Sequence, residues 1–388
     1  MLSVVYIFFP GREKKKMNVE KKHILIVEPY YGGSHKNFLD GLVCFVDLHF
    51  SLITLPARKW KMRMQTAAPF VAERIARLYS RGDQFDAVFC STFIDVAVLR
   101  SLLAMQGIHI PVAVYFHENQ FAYPVRIRDP SFFQFTSINF TTALAADRLF
   151  FNSLFNLESF ISGITMFLNK AADVDIRFCL QDIKKKSIVL YPGIDYSIID
   201  RQSSVKRNHE HPVIIWNHRW EHDKDPEAFF NALFKLQEQK VAFKVIVLGE
   251  SFKQRPEIFS PAEQQLRKDN RIIHFGYVSN RNQYARLLCR GDLIISTALH
   301  EFFGISMLEG VRAGCRPLVP NHLSYPELFP RKFRYEQGEL GKALTNALAA
   351  LCMNDEKQRQ GYRQIAAPYS WPLVAENYQR ELTALCGR

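Results

Sequence analysis

Residues 293–310 have the sequence LIISTALHEFFGISMLEG, in which an apolar run precedes a polar loop and a helical pattern. The apolar run that begins at Leu293 predicts a buried parallel strand. The loop contains Glu301 and Gly304, and the apolar residues from Ile305 onward recur at helical spacing. The stretch therefore predicts a strand–loop–helix turn in an α/β fold.

This predicted turn has the chemistry to bind a phosphate that is flanked by sugars. Backbone N–H groups at a helix start, together with the positive end of the helix dipole, favour phosphate. The carboxylates of Glu301 and Glu309 lie on either side of that helix start, and each can accept hydrogen bonds from two neighbouring sugar hydroxyls. The stretch therefore predicts a site for a nucleotide-sugar.

The composition is that of a globular protein with an anionic partner. The chain has 388 residues, enough for two domains with separate cores, and 48% of them are apolar. A formal net charge of +12 favours nucleic acid, an acidic membrane surface or a phosphorylated substrate, although it could serve solubility alone. The seven cysteines form no CxxC pair, so we expect reduced thiols in the cytoplasm and no structural zinc site.

The beginning of the chain does not have the pattern of a secretory signal. Residues 2–9 are apolar, but the basic run 12–16 follows them, whereas a signal has its charges first. We expect residues 1–22 to be a poorly ordered N-terminal extension. No run of about eighteen uncharged apolar residues occurs, so we expect no stable membrane insertion.

The β/α alternation begins with the apolar run 23–28, which is followed by Gly32 and Gly33. Paired glycines between a first strand and a first helix let the backbone approach a ligand phosphate, although a plain tight turn is the alternative. The GxGxxG fingerprint is absent from this position, so a dinucleotide site is not supported. The strand predicted at 111–116 ends at His117 and Glu118, at the edge where α/β sheets bind ligands.

Residues 57–82 form a basic segment with one acidic residue, Glu73. Its interleaved apolar residues predict a helix with an apolar side and a cationic side. The segment could be a solvated helix face, a set of phosphate contacts to RNA, or a helix on an anionic membrane surface. Pro69 is expected to interrupt it, which weakens the membrane interpretation. Its cations are Arg58, Lys59, Lys61, Arg63, Arg74, Arg77 and Arg81.

A polar linker at 196–211 separates this half from a second β/α series that starts at residue 213. Arg219 and Lys224 flank a strand-to-helix loop in which two cations would clamp a diphosphate, although the loop could be merely solvated. We expect an N-terminal Rossmann-like domain at 23–200 on the acceptor side and a C-terminal one at 201–365 on the donor side. Residues 366–388 are expected to form a helix that packs back on the N-terminal domain. Two such doubly wound domains would face an interdomain cleft.

In the second half of the chain, Arg219 and Lys224, then Gly249-Glu250, FGYV at 275–278, and Glu301 and Glu309 follow one another in a characteristic order. This order resembles that of glycosyltransferase family 4, a retaining family with the two-domain GT-B architecture. Six longer blocks are EPYYGGSH at 28–35, PARKW at 56–60, HENQ at 117–120, YPG at 191–193, HRWEHDKDPE at 218–227 and HEFFG at 300–304. These blocks more narrowly resemble the tRNA-queuosine mannosyltransferases.

The resemblance implies GDP-mannose as donor and queuosine in the tRNA anticodon as acceptor. It implies diphosphate contacts from Arg219 and Lys224, ribose contacts from Glu309, and sugar contacts from Glu301 and His117. The catalytic set is His117, Glu118, Arg219, Lys224 and Glu301. The donor-binding set is Gly32, Gly33, Arg219, Lys224, Gly249, Tyr277, Phe303, Gly304, Ile305 and Glu309, and the acceptor or RNA-binding set is His35, Arg58, Lys59, Lys61, Arg63 and Asn119.

The same resemblance implies that no metal or other cofactor is needed, because Arg and Lys neutralise the diphosphate. The spacing Asp173–Asp175 would suit a metal, but no strand end flanks it. Three interpretations compete: a cytoplasmic tRNA-modifying mannosyltransferase, a family-4 transferase that acts on a lipid-linked or polysaccharide acceptor at a membrane surface, and a non-catalytic RNA-binding protein on a relic transferase fold. None of them requires an obligate protein partner.

Overall fold

A computed structural model describes residues 21–123, 132–170, 174–202, 210–251, 255–351 and 355–387. The chain divides into two compact units, one made of the residues up to Gly193 and from Trp371 onward, the other of Ile194–Ser370. The sequence analysis predicts the domain boundary between residues 200 and 201. Residues 203–209 of the predicted linker and residues 1–20 of the predicted N-terminal extension lie outside the described residues.

The first unit is built on a six-stranded parallel sheet in the order β2-β1-β3-β4-β5-β6. Its strands are β1 His23–Tyr31, β2 His49–Pro56, β3 Ala87–Ser91, β4 Val112–Phe116, β5 Arg148–Phe151 and β6 Ser187–Val189. The helices between them are α1 Gly33–Phe45, α2 Trp60–Ser80, α3 Val96–Ala104, α4 Phe132–Ala145, α5 Leu154–Leu168 and α6 Phe178–Lys185.

The second unit has a parallel sheet of the same size in the order β12-β11-β10-β7-β8-β9. Its strands are β7 Val213–Asn217, β8 Lys244–Leu248, β9 Ile272–Gly276, β10 Leu293–Ile295, β11 Arg316–Pro320 and β12 Arg334–Tyr335. Its helices are α7 Ser197–Gln202, α8 Pro226–Glu238, α9 Phe259–Lys268, α10 Arg281–Arg290, α11 Ile305–Arg312, α12 Tyr325–Leu328, α13 Leu340–Ala349 and α14 Glu356–Ala366, with short 3₁₀ turns at His222–Lys224, Arg331–Phe333 and Ala367–Tyr369.

Each sheet has one point where the direction of strand addition reverses. In the first unit this point lies between β1 and β3, and in the second unit between β7 and β10. Loops that leave the carboxyl ends of two such strands diverge and leave a crevice, where open α/β sheets bind their ligands. The strand order therefore directs attention to the residues that follow β1, β3, β7 and β10.

Helix α2 runs without a break through Pro69, so the prediction that this residue interrupts the segment is wrong. Proline removes one backbone donor and displaces the carbonyl four residues earlier. Pro69 is exposed, so water can satisfy that carbonyl. The opposite side of α2, which includes Met64, Val71 and Ile75, is fully buried in the first unit and holds the helix in place.

The last helix, α15 (Trp371–Leu385), belongs to the first unit although it follows the whole second unit in the chain. Trp371 is 1% exposed, and a Cβ on Gly41 or Gly193 would lie 1.9 or 2.1 Å from its ring. The hydroxyl of Tyr378 donates to the carbonyl oxygen of Tyr191 at 3.0 Å. The sheet face that carries α1 is thus completed by α15.

No helix among the described residues is long and apolar enough to cross a membrane.

Candidate functional site

Residues 293–310 form the predicted strand–loop–helix turn in the second unit. Strand β10 ends at Ile295, and α11 begins at Ile305 with Gly304 as its N-cap residue. Gly304 has φ of +108°, a left-handed conformation that favours glycine, and a Cβ there would lie 3.1 Å from the Tyr325 ring. The N–H groups of Ile305 and Ser306, at the start of α11, precede the first N–H that bonds to the Gly304 carbonyl, so they can face an anion.

Lys224 is the buried centre of this site. Its side chain is 7% exposed, and its ammonium donates to the carbonyl oxygen of His300 at 2.5 Å. The same ammonium lies 3.0 Å from an Asp223 carboxylate oxygen and 3.5 Å from Oε2 of Glu301. These contacts connect the loop after β7 to the loop after β10. The N–H groups of Leu299 and His300 connect the same loops, because both donate to the Asp223 carbonyl. Lys224 therefore fixes the position of the Glu301 carboxylate.

Electrostatics keep Glu301 in its charged form. Burial alone would raise the pKa of this carboxyl, but the positive charge of Lys224 leads the interactions that outweigh burial, so the net pKa shift is downward. The N–H of Phe303 donates to Oε1 of Glu301 at 3.4 Å. The Phe303 N–H, which the sequence analysis assigned to phosphate, is therefore engaged with a carboxylate in this structure.

Beside this pair lies His218, which sequence reasoning did not select. It is 5% exposed, and burial followed by Lys224 lowers its pKa to about 4, so its imidazole is neutral at physiological pH. A Cβ on Gly249 would lie 1.7 Å from the His218 carbonyl oxygen. Gly249, expected at the donor, thus allows the loops after β7 and β8 to meet.

Arg219 and Tyr277 present exposed side chains at the same edge of the sheet. The Arg219 side chain is 56% exposed, and its guanidinium lies 3.1 Å from a Glu221 carboxylate oxygen. Tyr277 follows β9, which β8 separates from β7, and is 65% exposed. The Arg219 side chain can contact an anion that approaches from solvent, whereas Tyr277 lies farther from the reversal point between β7 and β10.

Glu309 is held by residues that sequence reasoning missed. The hydroxyl of Tyr284 donates to Oε2 of Glu309 at 2.5 Å, and Nδ2 of Asn217 donates to the Tyr284 hydroxyl at 2.7 Å. Arg281 lies 3.5 Å from Oε1. Burial raises the pKa of Glu309, and Arg281 and Tyr284 only partly oppose this shift. No sequence spacing marks Tyr284, because its partner is 25 residues away on another helix.

In the first unit, residues at or just beyond the carboxyl ends of β1, β3 and β4 converge. Oε1 of Glu28 accepts from the N–H of Tyr30 at 2.8 Å and from the Ser91 hydroxyl at 2.9 Å, and Oε2 lies 3.0 Å from Nδ1 of His35. The rings of His35 and His117 are 4.1 Å apart between centroids. Glu28 and Ser91 thus occupy the reversal point of the first sheet.

Glu28, His35 and His117 also have the side-chain types that bind metal ions. Within the described ranges, Glu28, His35 and His117 each offer one possible ligand atom, and these three atoms lie within 4.8 Å of one another. That spacing would let all three side chains contact one metal ion. The predicted absence of a metal is not tested by this geometry. Asp175 pairs with Arg177 at 2.8 Å, while Asp173 lies outside the described residues.

Two predicted RNA contacts are buried instead. Asn119 is 0% exposed, and its amide donates to Oδ1 of Asn156 at 2.8 Å and to the Ser159 hydroxyl at 3.0 Å. His35 is 7% exposed and is bonded to Glu28. Neither side chain lies at the surface in this structure, and their role in acceptor or RNA binding stays a prediction. Glu118 is half-buried and contributes to raising the pKa of His35.

The cations of the basic segment fall into two groups at opposite ends of α2, a helix of about 30 Å. Arg58, Lys59 and Lys61 are exposed where α2 begins. This end lies beside the glycine turn, because a Cβ on Gly32 would lie 2.5 Å from Cβ of Ala57. Gly33, with φ of +54°, is exposed there and has open space around it.

The remaining cations of α2 are differently placed. Arg63 is half-buried, and its Nε has no hydrogen-bond partner among the described residues. Arg74, Arg77 and Arg81 lie in the last turns or just past the end of the helix, where Arg77 pairs with Glu73. The structure thus brings only the first group to the ligand-binding edge of the first sheet.

Several solved structures share this architecture. A glycosyltransferase from Rickettsia africae superposes with a TM-score of 0.65 at 16% identity, covering 95% of this chain and 99% of that one. The catalytic domain of starch synthase IV from Arabidopsis thaliana gives a TM-score of 0.67 at 12% identity, covering 95% of this chain and 100% of that one. Identities this low establish the fold alone, which is GT-B.

Sequence comparison supplies the function class. Residues 198–366 match the family of group 1 glycosyl transferases, and residues 23–194 match the N-terminal domain of tRNA-queuosine alpha-mannosyltransferase. The two matched segments correspond to the two units, so the chain is a GT-B glycosyltransferase.

A relative from Drosophila melanogaster narrows this class. It is a tRNA-queuosine alpha-mannosyltransferase, 38% identical over 344 residues, which are 87% of this chain and 88% of the relative. The chain belongs to the tRNA-queuosine alpha-mannosyltransferase family, and the resemblance inferred from its sequence blocks is confirmed.

Proposed function

We propose that this protein transfers mannose from GDP-mannose to queuosine in the anticodon of tRNA, with retention of configuration and without a metal ion. Family membership supports the mannose and the acceptor. The observation that carries the proposal is the second-unit site, where Arg219, the Lys224–Glu301 pair and the start of α11 lie at one sheet edge. Because tRNA is the acceptor, we propose that the enzyme acts in the cytoplasm.

The proposed reaction breaks the bond between C1 of mannose and the β-phosphate oxygen while an acceptor hydroxyl bonds to C1 on the same face. The hydroxyl proton passes to the departing phosphate oxygen, so GDP leaves with that proton and no separate nucleophile is needed. The protein then contributes orientation and electrostatic stabilisation of an oxocarbenium-like sugar and of the departing diphosphate. Positive charge from Arg219 and Lys224, and the first N–H groups of α11, serve the diphosphate.

The carboxylates have separate roles in this proposal. Glu301 stays ionised beside Lys224 and accepts hydrogen bonds from hydroxyls of the transferred sugar. Glu309, held by Tyr284, accepts from the ribose hydroxyls.

The decisive experiment incubates the protein with GDP-[¹⁴C]mannose and total tRNA prepared with or without queuosine. We expect label only in the queuosine-containing tRNA, and equal rates in EDTA. Label in both tRNA preparations would overturn the acceptor assignment. Loss of activity in EDTA that manganese restores would overturn metal independence.

Arg219→Ala tests the donor site. We expect kcat to fall on the order of 100-fold, because the guanidinium stabilises charge that develops on the departing phosphate. The matched control is Arg267→Ala, which removes an exposed arginine that pairs with Glu263 on α9 of the same unit. Unchanged turnover in Arg219→Ala, or an equal loss in the control, would refute the assignment.

The basic start of α2 is the proposed tRNA contact. Replacement of Arg58, Lys59 and Lys61 by alanine removes exposed cations beside the glycine turn, so tRNA affinity should fall and its log–log salt dependence should flatten by about 2–3. The control replaces Arg74, Arg77 and Arg81 at the other end of the helix and removes the same charge. If both triple variants bind tRNA equally at all salt concentrations, the contact is elsewhere.

A further inference from the structure

The carboxyl edge of the first sheet carries a group of aromatic rings that the proposed reaction does not use. One ring comes from each of four neighbouring segments: Tyr30 near the end of β1, Trp60 after β2, Phe93 after β3 and Tyr123 after β4. The Trp60 ring lies 6.1 Å from that of Phe93 and 5.8 Å from that of Tyr123 between centroids. Tyr30 and Phe93 are 5.2 Å apart. The rings therefore meet where β1 and β3 diverge, the edge at which α/β sheets bind ligands.

These four rings and Phe135, here called the aromatic cluster, include both buried and accessible members. Phe93 and Phe135 are each 4% exposed, and both pack with the fully buried Met64. Trp60 and Tyr123 are half-buried, so part of the surface of each remains accessible. The Trp60 ring lies 5.3 Å from that of Phe135, which supports it from within the unit. A ring that is already ordered in this way can stack on a planar ligand with little further loss of side-chain freedom.

Cations lie beside the accessible part of the aromatic cluster. Nζ of Lys61 is 5.7 Å from the ring centroids of both Trp60 and Phe135. Arg58 and Lys59 are exposed and directly precede Trp60 in the chain, and no acidic residue occurs from residue 57 to residue 72. Aromatic rings interleaved with cations are the combination with which proteins bind single-stranded nucleic acid, because the rings stack on bases and the cations meet phosphates.

Arg63 has hydrogen-bonding capacity that the protein does not use. It follows Trp60 by three residues on α2, so the two side chains are neighbours on the helix surface. Arg63 is half-buried, and its Nε is inaccessible to solvent and has no hydrogen-bond partner among the described residues. A buried N–H without an acceptor is costly, and the edge of a nucleobase carries oxygen and nitrogen acceptors.

We propose that Trp60 and Tyr123 form a stacking platform for the unpaired base of the acceptor nucleoside, with Lys61 at the adjoining phosphate. This role rests on the proposed function, because that function makes an anticodon nucleoside the acceptor. Bases in RNA loops can leave their stack and be held against aromatic side chains, and enzymes that modify a base hold it in this way. Stacking tolerates any base, so the platform orients the acceptor and does not identify it.

Intrinsic fluorescence tests the stacking directly, because Trp60 differs from the other tryptophans. Of the four in the chain, Trp216, Trp220 and Trp371 are at most 4% exposed, whereas Trp60 is half-buried. The probes are an anticodon stem-loop RNA that contains queuosine and the same RNA with an abasic position in its place. At saturating RNA, we expect the first probe to quench tryptophan emission and the abasic probe to leave it unchanged. Trp60→Phe should abolish the quench.

Affinity supplies a second measurement. Trp60→Leu keeps an apolar side chain but removes the ring, so affinity for the queuosine RNA should fall on the order of 10- to 100-fold, whereas Trp60→Phe should lose much less. Affinity for the abasic RNA should be the same in the wild type and Trp60→Leu. Tyr123→Leu should act in the same direction, which keeps the test valid if Trp60→Leu does not fold.

Tyr79→Leu is the matched control, because it removes a half-buried ring from the other end of α2, where Tyr79 packs 6.0 Å from Phe85. Its affinity for both RNAs should equal that of the wild type. An equal loss of affinity in Tyr79→Leu and Trp60→Leu would show that the ring of Trp60 serves only to support α2, and would overturn the inference.

Three other results would also overturn it. One is an unchanged Trp60 emission at saturating queuosine RNA, and another is an equal loss of affinity for both RNAs in Trp60→Leu. The third is a blue shift of this emission on vesicles of phosphatidylcholine and phosphatidylglycerol without a quench by RNA, which would make the surface a membrane contact. The quench is measured without GDP-mannose, so a protein that shows it but transfers no mannose would refute the proposed function and leave the platform standing.

Discussion

Replacement of Lys224 by methionine should destabilise the second unit in a manner that depends on pH. The ammonium lies 3.5 Å from Oε2 of Glu301, and at an effective dielectric constant of about 20 that separation corresponds to roughly 5 kcal/mol of attraction. The Glu301 side chain is 21% exposed, so water replaces part of the lost interaction. We expect the free energy of unfolding at pH 7 to fall by about 3 kcal/mol, at the lower end of the cost of breaking a buried ion pair.

The sign of the pH dependence follows from the pKa of Glu301. In the wild type this pKa is lowered, so the carboxylate contributes stability at pH values above its ordinary pKa, and that contribution is lost as the pH falls through the lowered value. Without Lys224, burial dominates and should raise the pKa of Glu301. In the variant, Glu301 would then ionise without a partner as the pH rises, which lowers the free energy of unfolding. The difference in this free energy between wild type and variant should therefore be larger at pH 7 than at pH 4.

Urea unfolding followed by tryptophan emission measures this effect, because Trp216 and Trp220 are buried in the second unit. A double-mutant cycle with Glu301→Gln measures the interaction energy between Lys224 and Glu301. It separates this energy from the contacts that Lys224 makes to His300 and Asp223. A loss below about 0.5 kcal/mol, or the same loss at both pH values, would show that the pair is not coupled as the distances indicate.

Two further substitutions test the supports of the two units. Tyr284→Phe removes the hydroxyl that donates to Glu309 and should weaken donor binding about tenfold, measured by calorimetry with GDP; unaltered affinity would show that Glu309 needs no such support. Trp371→Ala should cost the first unit about 3–5 kcal/mol, seen as faster hydrogen exchange in β1 but not in β7, whereas equal acceleration in both strands would contradict the assignment of α15.

Local sequence patterns predicted those parts of the fold that depend on neighbours along the chain. The strand–loop–helix turn expected at 293–310 is present in the structure. Pro69 was misjudged because the solvent exposure of one helix side is a tertiary property. Patterns record spacing, and they do not record which side of a helix faces water.

The candidate site was predictable only in its outline. Arg219, Lys224 and Glu301 lie in the loops that follow β7 and β10, and the sequence predicts these positions. Their catalytic roles stay predictions. The contacts of Tyr284 with Glu309, and of Ser91 with Glu28, join residues 25 and 63 positions apart, so no local pattern contains them. The burial of Asn119 was also not predictable, because the sequence does not show that its amide bonds to Asn156, 37 residues further along the chain.

The position of α15 in the chain has a consequence for biosynthesis. Side chains of this helix, including Trp371 and Tyr378, share one apolar cluster with residues of β1, β3 and β4, yet they are translated only after the entire second unit. During synthesis on the ribosome, the second unit can therefore reach its native state first, while the sheet face that carries α1 is only partly covered. We expect such a nascent chain to engage chaperones through that face until residues 371–385 emerge, so a ribosome stalled before residue 371 should carry more bound chaperone than one stalled well after residue 385.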